Sequence, residues 1–160
     1  MREKSNFSVL LHNIRSAYNV GSIFRTADAI CVEHLYLTGY TPAPIDGFGN
    51  KRLDIQKTAL GAQNKVSWSK HASVGKLILD LKKEGFFIVG VEQSAFSVDY
   101  KKFKVSKRKS VFIFGNEVRG VSKQTLLKCD EIIEIPMKGF KESLNVSVSV
   151  GIVLFGIFDN

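Results

Sequence analysis

The sequence of 160 residues is poor in the residues that mark disulfide-rich, metal-binding and membrane-spanning proteins. Its two cysteines, Cys31 and Cys129, form no CxxC pair, and only three histidines are present. This scarcity argues against a disulfide framework and against a zinc site, so we expect no metal. No apolar run reaches the roughly 18 residues of a membrane-spanning helix, and the run at residues 9–11 is too short for a signal peptide. We therefore expect a soluble, cytoplasmic protein.

Proline is also scarce, with three residues, and no repeat, proline-rich linker or low-complexity tract divides the chain. With 44% hydrophobic residues, the sequence is long enough for one compact domain, to which we assign residues 1–160. Asp and Glu total 15 against 23 Lys and Arg, which gives a net charge of +8. This excess favours a polyanionic partner, and charge alone does not distinguish a nucleic acid from an anionic membrane surface.

Short apolar runs alternate with helical patterns along the chain. Runs rich in Val, Ile and Phe predict five buried strands, at residues 7–11, 34–37, 86–91, 110–114 and 131–135. Ser73 is a predicted N-cap because apolar residues follow it at helical spacing, and further helices are predicted over residues 19–29 and from Ser122 to about residue 128. Strands that alternate with helices predict a single-domain α/β fold with a mostly parallel sheet flanked by helices.

The last apolar segment, residues 143–158, fits two kinds of secondary structure. Its valines alternate with polar residues in the period of a strand, whereas Leu144, Val148 and Phe155 share one helical stripe. A length of about sixteen residues exceeds the usual strand of roughly three to ten. We therefore predict a helix.

Three stretches follow predicted strands, and open α/β sheets bind ligands beyond the carboxyl ends of their strands. The first places Asn19 near a helix start and Arg25 within the helix, a pattern that an N-cap and a surface arginine also explain. The second runs from a hydrophobic strand into a turn with Gly115, which would let a ligand approach the backbone, and Glu117, which would orient donors. A turn with a solvated glutamate explains the second stretch equally well.

The third stretch leaves a strand at Ile135 and passes through Pro136 and Met137 to Ser143 and Asn145. An apolar backbone with a few polar groups suits an adenine-like ring. Alternatively, Ser143 caps a helix and Asn145 lies in its first turn. Each stretch is ambiguous alone, and only the combination of the three is specific.

Both phosphate-binding fingerprints of nucleotide enzymes are missing. Gly120 is followed by Val121 and Ser122, where a P-loop requires Lys and then Ser or Thr. No GxGxxG is present, and the nearest segment, residues 47–52, lacks the third glycine. The sequence therefore disfavours a kinase, a dehydrogenase and a methyltransferase of the glycine-rich Rossmann type.

Three ordered motifs together resemble those of one RNA-modifying family. NxxxxxR from Asn19 to Arg25, FGNExxGxS at residues 114–122 and IPMxGxxxSLNVSVSVGI at residues 135–152 closely resemble the motifs of the SpoU, or TrmH-type, branch of the SPOUT RNA methyltransferases. The similarity extends over nearly the whole chain. It implies transfer of a methyl group from S-adenosylmethionine, mostly to a ribose 2′-hydroxyl of tRNA or rRNA, with no metal and no membrane partner. It also implies a homodimer and a deep trefoil knot in the carboxyl-terminal part.

The resemblance implies that residues 1–160 are the catalytic domain, without a separate amino-terminal RNA-binding domain. It also implies which residues bind the cofactor through backbone and apolar contacts. These residues are Gly115, Ile135 and Leu144, with Pro136 and Met137 beside them.

The catalytic candidates implied by the motifs are Arg25, Asn19, Glu117, Ser143 and Asn145. A guanidinium stays protonated in proteins, so we interpret Arg25 as a cation that stabilises the forming alkoxide and holds the neighbouring phosphate. Asn19, Ser143 and Asn145 would fix the ribose and Arg25. Glu117 would orient the turn and the substrate.

Two basic loops are candidate RNA contacts. Residues 100–109 hold six cationic residues and two aromatic ones, and a second loop contains glycine next to Lys51 and Arg52. Such a pattern contacts phosphates and stacks bases, but a solvated loop with Phe103 in the core fits equally well. The predicted RNA-binding residues are Lys51, Arg52, Lys101, Lys102 and Lys104. A non-catalytic RNA-binding protein that keeps this fold is the alternative function.

Overall fold

The computed structural model describes residues 5–159, which contain one sheet of seven strands. All the strand pairings in it are parallel. The strands are β1 (Phe7–His12), β2 (Leu35–Thr38), β3 (Trp68–His71), β4 (Phe87–Val91), β5 (Val98–Asp99), β6 (Ser110–Phe114) and β7 (Glu131–Glu134). Their order across the sheet is β3-β2-β1-β6-β4-β7-β5, so β6 lies between two strands that precede it in the sequence.

Five α-helices accompany these strands in the described part of the chain. They are α1 (Ala17–Ala29), α2 (Leu53–Ala59), α3 (Val74–Lys83), α4 (Lys123–Leu126) and α5 (Val146–Phe158), with short 3₁₀ helices at Ala62–Asn64 and Tyr100–Lys102. The side chains of Ser16, Ser73, Ser122 and Asn145 accept backbone N–H groups at the starts of α1, α3, α4 and α5. Because these N–H groups have no partner within their helices, the caps fix where each helix begins.

The predicted mostly parallel α/β sheet is confirmed. All five predicted strands form, each within one residue of its expected bounds, and Ser73 and Ser122 are N-caps as expected. The edge strands β3 and β5 and the helix α2 are absent from the prediction. They are short, and few of their side chains are buried, so no apolar periodicity marks them.

Helix boundaries differ from the prediction where a cap lies elsewhere. α5 is a helix as predicted, but it begins at Val146, and the side chain of Asn145 caps it by accepting the N–H of Ser147 at 2.9 Å. The alternative interpretation, with Ser143 as the cap and Asn145 in the first turn, is therefore wrong. α1 begins at Ala17 rather than at residue 19, because its cap is Ser16.

Both faces of the sheet are covered, which explains why the strands read as continuous apolar runs. In β1, Val9 and Leu11 belong to the core on the side of α1 and α5, whereas Leu10 belongs to the core on the side of α3. On the first side, the ring of Phe7 stacks on that of Phe158 with centroids 3.7 Å apart. The first strand and the last helix thus pack in the same hydrophobic core.

The parallel strands direct their carboxyl ends to one edge of the sheet. There the 92–97 loop follows β4, the 115–121 turn follows β6 and the 135–145 loop follows β7. Because β6, β4 and β7 are neighbours, these three segments lie side by side. This edge is where open α/β sheets bind ligands.

Candidate active site

A cavity of about 210 Å³ opens between the 92–97 loop, the 115–121 turn and the 135–145 loop. About half of its lining side chains are apolar, and the other half are polar or charged and include Glu92, Glu117 and Glu134. Four of the predicted cofactor contacts line it, namely Gly115, Ile135, Met137 and Leu144. The fifth, Pro136, is exposed and is not among the lining residues.

The 115–121 turn folds back so closely on itself that Gly115 leaves no room for a side chain. A Cβ atom there would lie 2.4 Å from the backbone C and O of Gly120 and 2.6 Å from the N of Val121. Gly120 has a φ of +65°, and its N–H donates to the carbonyl of Asn116 at 2.8 Å. The space into which a Cβ atom of Gly115 would point is therefore occupied by the backbone of its own turn, while Gly115 itself lines the cavity.

Asn116 attaches this turn to the loops that follow β1 and β2. Its buried side chain accepts the N–H groups of Val118 and Arg119 at 2.9 and 2.8 Å. Its Nδ2 donates to the carbonyl of Asn13 and to the hydroxyl of Tyr40, both at 2.9 Å. Both donors and both acceptors of the amide are satisfied within the protein, so Asn116 holds the turn in place.

Glu117 places its carboxylate over the amino-terminal end of α1. It accepts the N–H groups of Arg15 and Ser16 at 3.0 and 3.1 Å, and Nδ2 of Asn19 donates to it at 3.3 Å. Partial burial raises the pKa of Glu117, but the hydrogen bonds from the backbone N–H groups of Arg15, Ser16 and Glu117 itself and from the side chain of Asn19 together outweigh burial, so this pKa lies below its ordinary value of 4.5. Such a carboxylate is ionised at neutral pH and suits an orienting role better than that of a general base.

Asn19 links this carboxylate to the third motif. Nδ2 of Asn145 donates to Oδ1 of Asn19 at 3.1 Å. We call the hydrogen-bonded series of Glu117, Asn19 and Asn145 the polar relay. Its two contacts join residues that are 98 and 126 positions apart in the sequence. The structure thus brings together three of the five predicted catalytic residues.

Replacing Glu117 with glutamine is expected to destabilise the protein in a pH-dependent manner. Because folding holds the pKa of Glu117 below 4.5, the ionised carboxylate stabilises the fold above that pH, and this contribution is lost as the pH falls through the folded-state value. At neutral pH we expect E117Q to lower the free energy of unfolding by about 1–3 kcal/mol. Urea unfolding at a series of pH values measures the difference from the wild type.

The control for this measurement is Glu142→Gln. Glu142 is exposed, and its carboxylate makes no ion pair or hydrogen bond with residues 5–159. We expect the E117Q difference to shrink in acid while E142Q follows the wild type throughout. Equal pH dependence of both variants would contradict the assigned role of the Glu117 carboxylate.

The other two predicted catalytic residues lie outside the polar relay. Ser143 is exposed and lines the cavity. Arg25 is six positions after Asn19 on α1, about 9 Å along the helix axis. It is exposed, is not among the residues that line the cavity, and makes no ion pair or hydrogen bond with the described residues. Its guanidinium is therefore available to a molecule outside this chain.

The two predicted RNA contacts near α2, Lys51 and Arg52, differ in how accessible their charges are to RNA. Arg52 pairs with Asp54, with Nη2 2.6 Å from Oδ2, and Nε also donates to this carboxylate. Lys51, by contrast, is exposed. The charge of Arg52 is thus partly neutralised within the protein, which leaves Lys51 as the more accessible of the two cations.

The 100–109 segment exposes its positive charges, but the ring of Phe103 is buried. Lys101, Lys102 and Lys104 are exposed. Phe103 is only 8% exposed and packs edge-on against Phe112 at 5.6 Å between ring centroids. The alternative that we left open, with Phe103 in the core, is therefore what the structure shows.

Two residues after β4 contribute to the site and are missing from the prediction. Oε2 of Glu92 accepts the N–H of Val121 at 2.9 Å, which fixes the end of the 115–121 turn. Nε2 of Gln93 donates to the carbonyl of Glu142 in the 135–145 loop. Their position directly after a predicted strand is the same signal that led to the other stretches, and it would have identified them.

Residues 5–159 contain no group of three or more His, Cys, Asp or Glu side chains arranged to hold a metal ion. No helix within that range is long and apolar enough to cross a bilayer. Both cysteines are free, and burial raises the pKa of the Cys129 thiol to about 11. Cys129 is therefore a packing residue and not a nucleophile at neutral pH.

Comparison with known proteins finds similarity to RNA methyltransferases. The profile of the SpoU rRNA Methylase family matches residues 6–155. The chain is 27% identical to the tRNA (guanosine(18)-2′-O)-methyltransferase of Escherichia coli over 96% of this chain and 63% of that protein. It is 32% identical to the 23S rRNA (guanosine-2′-O-)-methyltransferase of Neisseria meningitidis over 91% of this chain and 55% of that protein. The chain thus spans 55–63% of the length of these relatives.

The fold is likewise shared with a solved structure. The crystal structure of an AdoMet-bound rRNA methyltransferase from Sinorhizobium meliloti superimposes with a TM-score of 0.86 and 27% sequence identity. The superposition covers 96% of this chain and 56% of that one. The similarity therefore extends over the sheet and the cavity together.

Proposed function

The chain belongs to the SpoU rRNA Methylase family, and from this premise we propose that it transfers a methyl group from S-adenosylmethionine to a ribose 2′-hydroxyl of tRNA or rRNA. The observation that carries the proposal is the polar relay, which joins the three motifs next to a cavity at the carboxyl ends of β4, β6 and β7. The names of the two relatives support the substrate class, and the AdoMet-bound structure supports the cofactor.

The residues that line the cavity fit S-adenosylmethionine. Ile135 and Leu144 supply apolar surface that suits an adenine ring. Glu92 and Glu134 supply carboxylate oxygens that suit positively charged groups. A cavity of about 210 Å³ is too small to enclose a folded RNA, so RNA would approach it from outside.

S-adenosylmethionine, when bound, supplies a methyl group on a cationic sulfonium. The task of this chain is to align the ribose oxygen and to stabilise the negative charge that develops on it. We assign the stabilisation of this negative charge to Arg25, since a guanidinium stays protonated and cannot act as a base. The proton of the hydroxyl passes to a phosphate or to water. Ser143 and Asn145 position the ribose, while Glu117 fixes Asn145 through Asn19.

Arg25 lies outside the cavity of its own chain, and we propose that it completes the cavity of a second copy in a homodimer. α1, which carries Arg25, packs against α5. Val148 and Phe155 on α5 are 48% and 40% exposed, although Ser147 and Ser149 are the only polar side chains of that helix. An apolar helix face requires a partner, and a second copy that covers this face would meet α1 as well.

Family membership also leads us to propose the deep trefoil knot, with residues 1–160 as one catalytic unit. The pairing of β6 with both β1 and β4 supports a carboxyl-terminal part that passes between earlier segments. The free cysteines Cys31 and Cys129 suit the reducing cytoplasm, where we place the reaction.

Reversing three charges in the 100–109 segment is expected to weaken RNA binding. With Lys101, Lys102 and Lys104 changed to Glu, we expect tRNA affinity to fall about 10-fold or more and its salt dependence to flatten, because phosphate contacts release counterions. Titration of labelled tRNA at low and high salt measures both. The control reverses exposed lysines elsewhere, at Lys65, Lys76 and Lys83. Unchanged affinity in the variant with Lys101, Lys102 and Lys104 reversed would show that this segment does not bind RNA.

Incubation with methyl-labelled S-adenosylmethionine and separate tRNA and rRNA pools tests the proposed function. We expect label in one pool, in a nucleotide that resists alkaline hydrolysis at its 3′ side because its 2′-oxygen is methylated. Asn145→Ala, which breaks the polar relay, should lower the rate. RNA binding without transfer to either pool would contradict the proposal and establish the non-catalytic RNA-binding function instead.

A further inference from the structure

Three phenylalanines in the described residues are 86% or more exposed, and two of them lie in loops that border the cavity. Phe96 belongs to the 92–97 loop and Phe140 to the 135–145 loop, with exposed fractions of 86% and 96%. Burial of a phenylalanine side chain is favourable, so a ring held in water is unused binding surface. Two such rings at one site point to a ligand that covers them.

The turn that carries Phe96 is well anchored. The N–H of Ser94 donates to Oγ of Ser97 at 3.0 Å, and the N–H of Phe96 donates to Oγ of Ser94 at 3.2 Å. The hydroxyl of Ser97 in turn donates to Glu134, at the end of β7, at 2.7 Å. Because this network fixes the backbone at Phe96, its ring is displayed to solvent by a defined turn.

Phe140 lies in a cationic setting on the opposite loop. Lys138 and Lys141 on either side of it are exposed, and the hydrogen bond from Gln93 to the carbonyl of Glu142 ties this loop to the 92–97 loop. Both aromatic rings therefore belong to one connected rim. Ammonium groups next to this ring suit a polyanion that also presents flat apolar surfaces.

We propose that Phe96 and Phe140 stack on unpaired bases that flank the target nucleotide, so that the substrate is RNA whose target lies in a loop or another single-stranded segment. This proposal rests on the proposed function and specifies its substrate. Aromatic rings interleaved with cations bind single-stranded RNA because the rings stack on base faces and the cations contact phosphates. A duplex keeps its base faces covered by one another and offers these rings nothing to stack on.

Substitution of the two rings tests this proposal. We expect Phe96→Ala and Phe140→Ala each to reduce affinity for a labelled RNA hairpin with an unpaired loop about 10-fold. Phe140→Trp, which keeps an aromatic face, should retain wild-type affinity within about twofold. The control is Leu127→Ala, since Leu127 is also 86% exposed but lies away from the cavity. It follows α4 and is close to the start of β7, whereas the cavity lies at the carboxyl ends of the strands. Circular dichroism verifies that each variant is folded.

A second RNA, a blunt duplex with the sequence of the hairpin stem, separates the contribution of base stacking to affinity from that of phosphate charge. We expect its affinity to be the same for the wild type and both alanine variants. If the wild type methylates RNA, then equal losses of affinity for hairpin and duplex in the alanine variants, or unchanged hairpin affinity in both of them, would overturn the stacking proposal and leave the proposed function intact. A wild type that neither binds the hairpin nor transfers label to any RNA would overturn both.

Discussion

Replacing Arg25 with alanine is expected to slow methyl transfer about 100-fold or more while affinity for S-adenosylmethionine stays within about twofold. A fixed cation stabilises charge that develops only in the transition state, so its loss affects the rate and not ground-state binding of the cofactor. Arg25 is exposed and unbonded within its chain, so we expect the free energy of unfolding to change by less than about 0.5 kcal/mol. Single-turnover kinetics measure the rate, calorimetric titration measures the affinity, and urea unfolding measures the stability.

Two further variants make this experiment specific. Arg25→Lys keeps the positive charge but lacks the planar guanidinium, so we expect an intermediate rate. Lys83→Ala removes an exposed cation from α3, on the other face of the sheet, and should leave the rate unchanged. Turnover of R25A close to that of the wild type would refute the assignment of Arg25 to the reacting oxygen.

Mixing two inactive proteins tests whether Arg25 acts across a dimer. Leu144→Arg would block the cavity, and R25A would lack the cation. If Arg25 serves the partner, a mixed dimer holds one complete site, in which the R25A cavity receives Arg25 from the L144R copy. We therefore expect activity to return on mixing and subunit exchange. A mixture that exchanges subunits yet stays inactive would show that Arg25 serves its own chain.

Replacing Gly115 with alanine is expected to damage both the fold and the cofactor site. The added Cβ would lie 2.4 Å from the backbone of Gly120, and backbone atoms cannot rotate away as a flexible side chain can. The 115–121 turn must open, which separates Gly120 from Asn116 and displaces Glu117. We expect a loss of about 3 kcal/mol in the free energy of unfolding and at least a 10-fold loss in cofactor affinity, the former at the upper end of overpacking costs.

Gly139→Ala is the matched control for this change. Gly139 belongs to the third motif, yet a Cβ there would have no atom within 4 Å among the described residues. We expect its stability and cofactor affinity to match those of the wild type within error. Thermal unfolding and calorimetry decide the comparison, and a G115A protein as stable as G139A would show that the turn is not closed in solution.

The buried half of the fold was predictable because β1, β4 and β6 are mostly apolar on both faces, and such runs are read directly from the sequence. The edge strand β3 could not be predicted in this way. Its residues Trp68–His71 are only partly buried, and its place is set by parallel pairing with β2, a tertiary contact that leaves no local pattern. The start of α5 could not be predicted either, because it depends on whether the side chain of Ser143 or that of Asn145 caps the helix.

The candidate site was predictable as a set of residues but not as a set of contacts. The motifs supplied Asn19, Glu117 and Asn145, whereas their hydrogen bonds depend on packing of α1, α5 and the 115–121 turn. Phe103 and Phe140 show the same limit. Both have lysines within two positions on either side in the sequence, yet Phe103 packs on Phe112 and Phe140 is exposed, a difference that only the tertiary structure decides.

The position of β6 between β1 and β4 has a consequence for biosynthesis. Until the ribosome has added Phe114 of the 160 residues, one edge of β1 and the facing edge of β4 have no hydrogen-bonding neighbour. Unpaired apolar edges are the sites at which incomplete chains associate with one another. The nascent protein therefore carries one unpaired edge of β1 through most of its translation, and both edges of β4 are unpaired as well once that strand has been made. The sheet becomes continuous between β1 and β4 only when its central strand, β6, is inserted.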